Sequence, residues 1–147
     1  MFFAKKFDPL IEEIDRIAPK LKEKIIIQTG RSTIKPKNCN HFEFKPDLTP
    51  YIKKARIIIA HGGAGTTYEV LKLGKKLISV DNPEVNDSHQ PDLLNKLAQE
   101  KYLIWCHNPR EIYEKIRKAR TFPFKRYTIP RCEIVGKIES ILGVQDE

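Results

Sequence analysis

Ile57-Ile58-Ile59-Ala60-His61-Gly62-Gly63-Ala64-Gly65-Thr66-Thr67-Tyr68-Glu69-Val70-Leu71-Lys72 decides the fold. A continuous β-branched run, from Arg56 to Ala60, is followed at once by glycines. A stretch with helical spacing, Thr66 to Leu73, then runs until Gly74 stops it. A strand that is apolar on both faces belongs inside a parallel sheet covered on both sides. The glycines let a ligand approach the backbone closely. The unpaired N–H groups and dipole of the helix start suit an anion such as a diphosphate. Read from Gly63 the pattern is G-x-G-x-x-x-E, which is neither the dinucleotide fingerprint nor a Walker loop, for it lacks the lysine.

The same alternation repeats on either side. Ile25 to Ile27, His41 to Phe44, Lys76 to Val80 and Tyr102 to Cys106 read as further strands. Phe7 to Leu21 carries Leu10, Ile11, Ile14, Ile17 and Leu21 at helical spacing, with Asp8 and Pro9 as start signals. Short or medium helices are expected from Asp47 or Thr49 to Ala55, from Pro91 to Glu100 and from Pro109 to Ala119. An irregular stretch covers Thr121 to Pro130, and an amphipathic helix covers Arg131 to Leu142. Strands alternating with helices predict an α/β domain over 1–147: a Rossmann-like parallel sheet with helices on both faces. Ligands of such sheets bind beyond the carboxyl ends of the strands. The loops to inspect are therefore Thr29–Thr33, His61–Thr67 and Asp81–Gln90.

Composition narrows the partners. The 147 residues are one domain's worth. No apolar run exceeds about five residues, far short of the roughly 20 that a membrane helix needs. Lys5 and Lys6 interrupt the opening residues too soon for a signal peptide. A soluble, intracellular protein is expected. Lys and Arg number 27 against 19 acids, a net charge of +8, which favours an anionic partner or, equally, a well-solvated surface of thermophile-like composition. Pairs such as Lys53–Lys54 and Lys75–Lys76 look like solvated edges. Cys39, Cys106 and Cys132 form no close pair, so neither a disulfide framework nor a zinc knuckle is expected. The neighbours Cys39 with His41, and Cys106 with His107, lack ligand spacing. No metal and no cofactor are expected.

Two further loops supply polar groups. Asp87-Ser88-His89-Gln90-Pro91 follows a strand and precedes a helix, so His89 and Gln90 reach the same cleft unless Asp87 or Ser88 merely caps that helix. In Gln28-Thr29-Gly30-Arg31-Ser32, Gly30 and Ser32 offer a backbone N–H and a hydroxyl to another phosphate oxygen. Glu69, one turn into its helix, can accept two hydrogen bonds from a vicinal diol such as ribose; its alternative role is compensation of helix charge.

The stretch from about Phe44 to Cys106 resembles the nucleotide-sugar-binding domain of glycosyltransferase family 28. His61-Gly62-Gly63-Ala64-Gly65-Thr66, Glu69 in the next helix, and His89-Gln90 carry the resemblance. With Phe7-Asp8-Pro9-Leu10 and Gln28-Thr29-Gly30 it spans most of the chain. Within the family the chain is similar to the small donor-binding subunits of two-subunit UDP-GlcNAc transferases, which build lipid-linked oligosaccharides, and to their bacterial exopolysaccharide counterparts. The resemblance implies half of a GT-B glycosyltransferase acting with a membrane-anchored acceptor-binding subunit, without a metal, cytoplasmic and held at the membrane through that partner. It implies that Ala64, Gly65 and Thr66 face the donor diphosphate; Gly63 and Thr67, in the same turn, are further substrate-binding candidates. Glu69 then holds the ribose, and His89 and Gln90 contact the sugar or its phosphates. His61 is the catalytic candidate, as donor to a phosphate oxygen or as acid/base. One departure stands out: no glycine precedes Gly30, so the family's opening strand and its Gly-Thr turn are expected to be short or missing, through a truncated start or a reduced cleft. That departure leaves a non-catalytic nucleotide-sugar-binding subunit as the second reading. A nucleic-acid-binding protein, suggested by charge and by Phe122-Pro123-Phe124-Lys125-Arg126-Tyr127, is the third. This aromatic segment is expected first of all to meet a partner or face a membrane, because its proline-rich setting is poor for core packing.

Overall fold

The β-branched runs of the sequence lie side by side in one sheet. A computed structural model describes residues 2–3, 8–61, 64–81 and 90–127, and of residues 2–3, 64–65 and 90–91 the backbone alone. The elements are β1 (Phe2–Phe3), α1 (Asp8–Leu21), β2 (Ile26–Gln28), β3 (Asn40–Phe42), α2 (Thr49–Lys54), β4 (Ile57–Ala60), α3 (Ala64–Lys72), β5 (Lys76–Val80), α4 (Gln90–Gln99), β6 (Ile104–Cys106) and α5 (Ile112–Thr121), with a 3-10 turn at Pro109–Glu111 before α5. All pairings are parallel and the order is β3-β2-β1-β4-β5-β6. The expected elements recur within a few residues of their predicted ends. The predicted helix over 131–142 lies outside the described residues.

Period-two alternation sorts the strand side chains into two cores. Ile59, Ile78 and Ile104 are level with one another and, with Ile27, Val80 and Cys106, pack under α1 and α5. Ile58, Ala60 and Leu77 point the other way, onto Ile52 of α2, Val70 and Leu71 of α3, and Leu94 and Leu97 of α4. Helices thus cover both faces, as parallel strands require. The stripe Leu10, Ile11, Ile14, Ile17 and Leu21 is buried along α1. Each such Leu or Ile contributes roughly 1.5–3 kcal/mol before the entropy of ordering is subtracted.

Three expectations are refined. The first strand exists: β1 is only two residues long, yet it lies in the middle of the sheet, with Phe2 opposite both Ile27 and Ile59. The Lys75–Lys76 pair is not a mere solvated edge. Lys75 Nζ donates to the Lys53 carbonyl at 2.6 Å, and Lys76 Nζ to the Ala119 carbonyl at 3.3 Å. These are the last turns of α2 and α5, whose carbonyls have no helical partner and draw cations.

The third refinement concerns the aromatic segment. Phe122 and Phe124 pack edge to face, centroids 4.8 Å apart, against the α1–α5 core. Tyr127 packs on the other core, 5.9 Å from the Tyr68 ring and 5.3 Å from that of Tyr102. Lys125 anchors the stretch by donating its N–H to the Lys101 carbonyl at 2.8 Å, while its ammonium sits over Tyr102. Apolar area turned inward outweighs the unfavourable backbone, so these rings sit half-buried on their own domain.

Candidate functional site

Strand order locates the cleft. The chain runs outward from β1 to β2 and β3 on one side and from β4 to β5 and β6 on the other. The reversal falls between β1 and β4, and beyond the carboxyl ends at such a switch point parallel sheets bind ligands. β4 ends at Ala60, and α3 begins at Ala64. The turn between them is therefore at the switch point. His61, the first residue past β4, is 8% exposed. Gly62 and Gly63 lie outside the described residues.

Gly65 falls in the first turn of α3, where the N–H groups have no carbonyl four residues back. Thr67 is buried with Val70 and Leu71, while Thr66 is half-buried and Glu69 exposed. Thr66 and Glu69 are three residues apart, hence neighbours on one helix face, with Cβ atoms about 5–6 Å apart. An anion at the helix start and a diol one turn further along fit that spacing. Ser79, fully buried on β5 beside Ala60, keeps a hydroxyl without a hydrogen-bond partner among the described residues.

The β2 loop is spent internally. Thr29 and Gly30 donate their N–H groups to the Phe42 and Glu43 carbonyls, each at 2.9 Å, and Ser32 N–H reaches the Thr29 carbonyl at 3.1 Å. The Ser32 hydroxyl donates to the Asp8 carboxylate, which Thr33 also reaches at 3.4 Å. Gly30 has φ +60°, so its role is the left-handed turn that closes β2. The phosphate contacts expected of Gly30 and Ser32 thus have their donors already engaged. What this loop does is tie α1 to the carboxyl edge.

The predicted loop Asp81–Gln90 is described at its two ends. Residues 82–89, and with them His89, lie outside the described residues; Gln90 is the first residue of α4. Two groups at this edge were not singled out from the sequence. Phe44, just past β3, is 73% exposed, the one large apolar side chain so open among the described residues. Asp81, just past β5, accepts from Trp105 Nε1 at 2.6 Å and lies 3.1 Å from His107 Nδ1. Trp105 and His107 come from the end of β6, and residues so far apart in sequence leave no local signal of their meeting.

The cysteine–histidine neighbours part company. Cys106 faces the core and His107 the solvent, because successive strand residues alternate. Burial pushes the Cys106 thiol up to about 11. Burial, aided by the Asp15 carboxylate, pushes that of Cys39 up to about 12. No group of three His, Cys, Asp or Glu residues suited to a metal occurs among the described residues. No helix among them is long and apolar enough to cross a membrane.

Comparison with known proteins places this geometry. The model of the glycosyltransferase family 28 C-terminal domain matches residues 4–141. The human UDP-N-acetylglucosamine transferase subunit ALG13 is 31% identical over 113 residues, covering 68% of this chain and 10% of that protein. The Yarrowia lipolytica subunit of the same name is 30% identical over 99 residues, covering 66% and 50%. The Kluyveromyces lactis subunit is 38% identical over 80 residues, covering 53% and 41%. The chain thus spans half or less of the length of these relatives. Among solved structures, the NMR structure of ALG13 superposes with a TM-score of 0.63 at 15% identity, over 99% of this chain and 96% of that one. Acinetobacter baumannii MurG follows at 0.59 and 20%, over 81% and 41%. The glycosyltransferase SnogD of Streptomyces nogalater gives 0.53 and 18%, over 99% and 37%. At such identities these structures speak for the fold, one half of a GT-B architecture.

Proposed function

Because the chain belongs to the glycosyltransferase family 28 C-terminal domain family, we propose that it is the donor-binding catalytic subunit of a UDP-sugar glycosyltransferase, with UDP-GlcNAc as donor. The observation that carries this reading is the junction of β4 and α3 at the switch point. There a glycine-rich turn runs into a helix start, with an exposed carboxylate one turn on. Its support in kind is the repeated likeness to UDP-N-acetylglucosamine transferase subunits.

In this reading the backbone of Gly63, Ala64 and Gly65, with Thr66 and Thr67, cradles the donor diphosphate. Glu69 accepts from the two ribose hydroxyls. The base extends toward β3, where the exposed ring of Phe44 offers a flat apolar face. The sugar extends the other way, toward β5 and the His89–Gln90 pair. Transfer breaks the bond from the anomeric carbon to the diphosphate and leaves charge on the departing UDP. Fixed N–H dipoles at the start of α3 stabilise that charge without reorganising. His61, held at the mouth of β4, donates to a phosphate oxygen of the leaving group. The acceptor is a lipid-linked sugar presented by a membrane-anchored partner subunit. This chain then works on the cytoplasmic side, peripheral to the membrane through that partner.

Calorimetric titration with UDP, UDP-GlcNAc, GDP and ADP tests the reading. Selective binding of UDP and UDP-GlcNAc is expected; equal binding of all four, or of none, would refute it. Assembled with its partner the chain is expected to transfer GlcNAc, and alone to transfer negligibly.

A further inference from the structure

The excess of positive charge lies at one edge of the sheet. Every strand is parallel, so the helices run back against the strands and end at the amino edge, away from the donor turn. The segments there are Lys22-Glu23-Lys24 before β2, Lys53-Lys54-Ala55-Arg56 before β4, Lys72-Leu73-Gly74-Lys75-Lys76 into β5 and Glu100-Lys101 before β6. The end of α5 adds Lys118-Ala119-Arg120, and Lys125-Arg126 is held at the same edge by the backbone bond from Lys125 to Lys101. Thirteen Lys and Arg thus stand against two carboxylates, Glu23 and Glu100. The carboxyl edge has no such excess: among its described residues Arg31, Lys45 and Arg110 meet Asp8, Asp47, Asp81 and Glu111. The charge of +8 therefore collects away from the donor cleft.

Internal partners offset little of it. Each helix end carries about half a negative charge, and the five ends together neutralise only a small part of these cations. Lys75 and Lys76 each direct an ammonium hydrogen at a helix-end carbonyl. Glu23 pairs with Arg56 at 2.6 Å and lies 3.9 Å from Arg120. The other cations of these segments form no ion pair among the described residues. Like charges so crowded repel one another, and an acidic partner relieves that repulsion.

The edge also has a shape. Between the start of β5, the start of β6 and the stretch after α5 lies a groove of about 540 Å³. Leu73, Phe122 and Tyr102 give it apolar lining, and Lys75, Lys125 and Arg126 give it charge. The rings are already engaged. Tyr102 and Tyr127 meet edge to face at 5.3 Å, and the Lys125 ammonium sits 5.2 Å from the centre of the Tyr102 ring. Rings so engaged make a poor stacking platform for the bases of a nucleic acid. A bilayer, being flat, meets the rim of a groove but not its lining. An extended polypeptide fits both features: its carboxylates reach the ammonium groups, and an apolar side chain between them enters the groove. Strands about 4.8 Å apart put β2 and β6 about 19 Å apart, the span of about six extended residues.

We propose that the amino edge of the sheet is a docking surface for an extended acidic segment of another polypeptide, with an apolar side chain among its carboxylates. The surface faces away from the donor cleft, so this segment and a UDP-sugar are held at the same time.

Fluorescence anisotropy with the full chain tests this. The probe is a labelled glutamate-rich peptide with a central Leu-Phe pair, and its control carries glutamine for every glutamate. At physiological ionic strength the acidic probe should bind at least about tenfold more tightly than the control, and should weaken as added salt shortens the screening length below about 8 Å. Lys125→Glu with Arg126→Glu should weaken the acidic probe about tenfold or more, because two contacts become repulsive. Lys53→Glu with Lys54→Glu, beside β4, is an independent second variant with the same expectation. Lys37→Glu with Arg110→Glu makes the same change of net charge away from this edge and should leave the affinity within about twofold. UDP affinity should be unaltered in all three. Equal binding of the two probes, or an equal loss in the Lys37 and Arg110 variant, overturns the proposal. So does tighter binding of a single-stranded oligonucleotide or of phosphatidylglycerol vesicles than of the acidic probe. None of these outcomes bears on the UDP-sugar reading, which the nucleotide titration tests by itself.

Discussion

Replacing Glu69 by alanine separates the ribose role from the structural one. Glu69 is the sixth residue of α3 and is exposed. The dipole effect fades within the first turn, so at this position helix-charge compensation contributes little. Glu69 makes no buried contact, and its removal should change folding stability by no more than about 0.5 kcal/mol. Ligand affinity is another matter. A carboxylate that accepts from two vicinal hydroxyls makes charge-assisted bonds, each worth roughly 1.5–3 kcal/mol. Allowing for water that replaces part of this, Glu69→Ala should weaken UDP binding by about 1–3 kcal/mol, a five- to 150-fold rise in Kd. Calorimetry gives the binding term and a thermal melt followed by circular dichroism gives the stability term. A cycle with 2′,3′-dideoxy-UDP makes the assignment specific: the unaltered chain should lose affinity for it, and Glu69→Ala should lose no more. An unchanged Kd for UDP, or full additivity of mutation and deoxygenation, would refute the ribose assignment.

Gly65→Val should abolish detectable UDP binding, measured by the same titration, because a branched side chain in the first turn of α3 blocks approach to its N–H groups; normal binding would make that turn purely structural. Phe122→Ala and Phe124→Ala should each cost about 1–3 kcal/mol in urea unfolding, below the 3–5 kcal/mol of a fully buried phenylalanine, since these rings are half-buried on their own core. At pH 8 iodoacetamide should label Cys106 at least about a hundredfold more slowly in the folded chain than after unfolding, because burial raises its pKa from 9.0 to about 11 and leaves little thiolate. The sign for stability follows: the folded pKa lies above the unfolded one, so this contribution is present below pH 9 and is lost as pH rises through about 11.

Much of this was written locally. The triple β-branched runs at Ile25 and Ile57 read as strands of a covered sheet, and the stripe from Leu10 to Leu21 reads as one face of a helix. A glycine-rich turn between a buried strand and a helix marks its own position, because backbone freedom and unpaired N–H groups are properties of a few consecutive residues. Hence the α/β class, both helical layers and the His61–Glu69 segment were legible without coordinates.

What depends on residues far apart was not. That two residues suffice for the central strand follows from neighbours on both sides, β2 and β4, sharing the burden of pairing. Phe122, Phe124 and Tyr127 look like an interface in sequence, and only the nearness of α1, Tyr68 and Tyr102 turns them inward. Ser32 looks free until Asp8 is placed beside it. Asp81 and His107 are separated by 26 positions and become a dyad solely because β5 and β6 are parallel and in register. Local chemistry set which segments are strands, helices and glycine-rich turns, since dihedral preference and hydrophobic period act over a few residues. The tertiary structure decided which donors are spent and which remain to act, because a hydrogen bond is won by whichever partner the packing brings within about 3 Å.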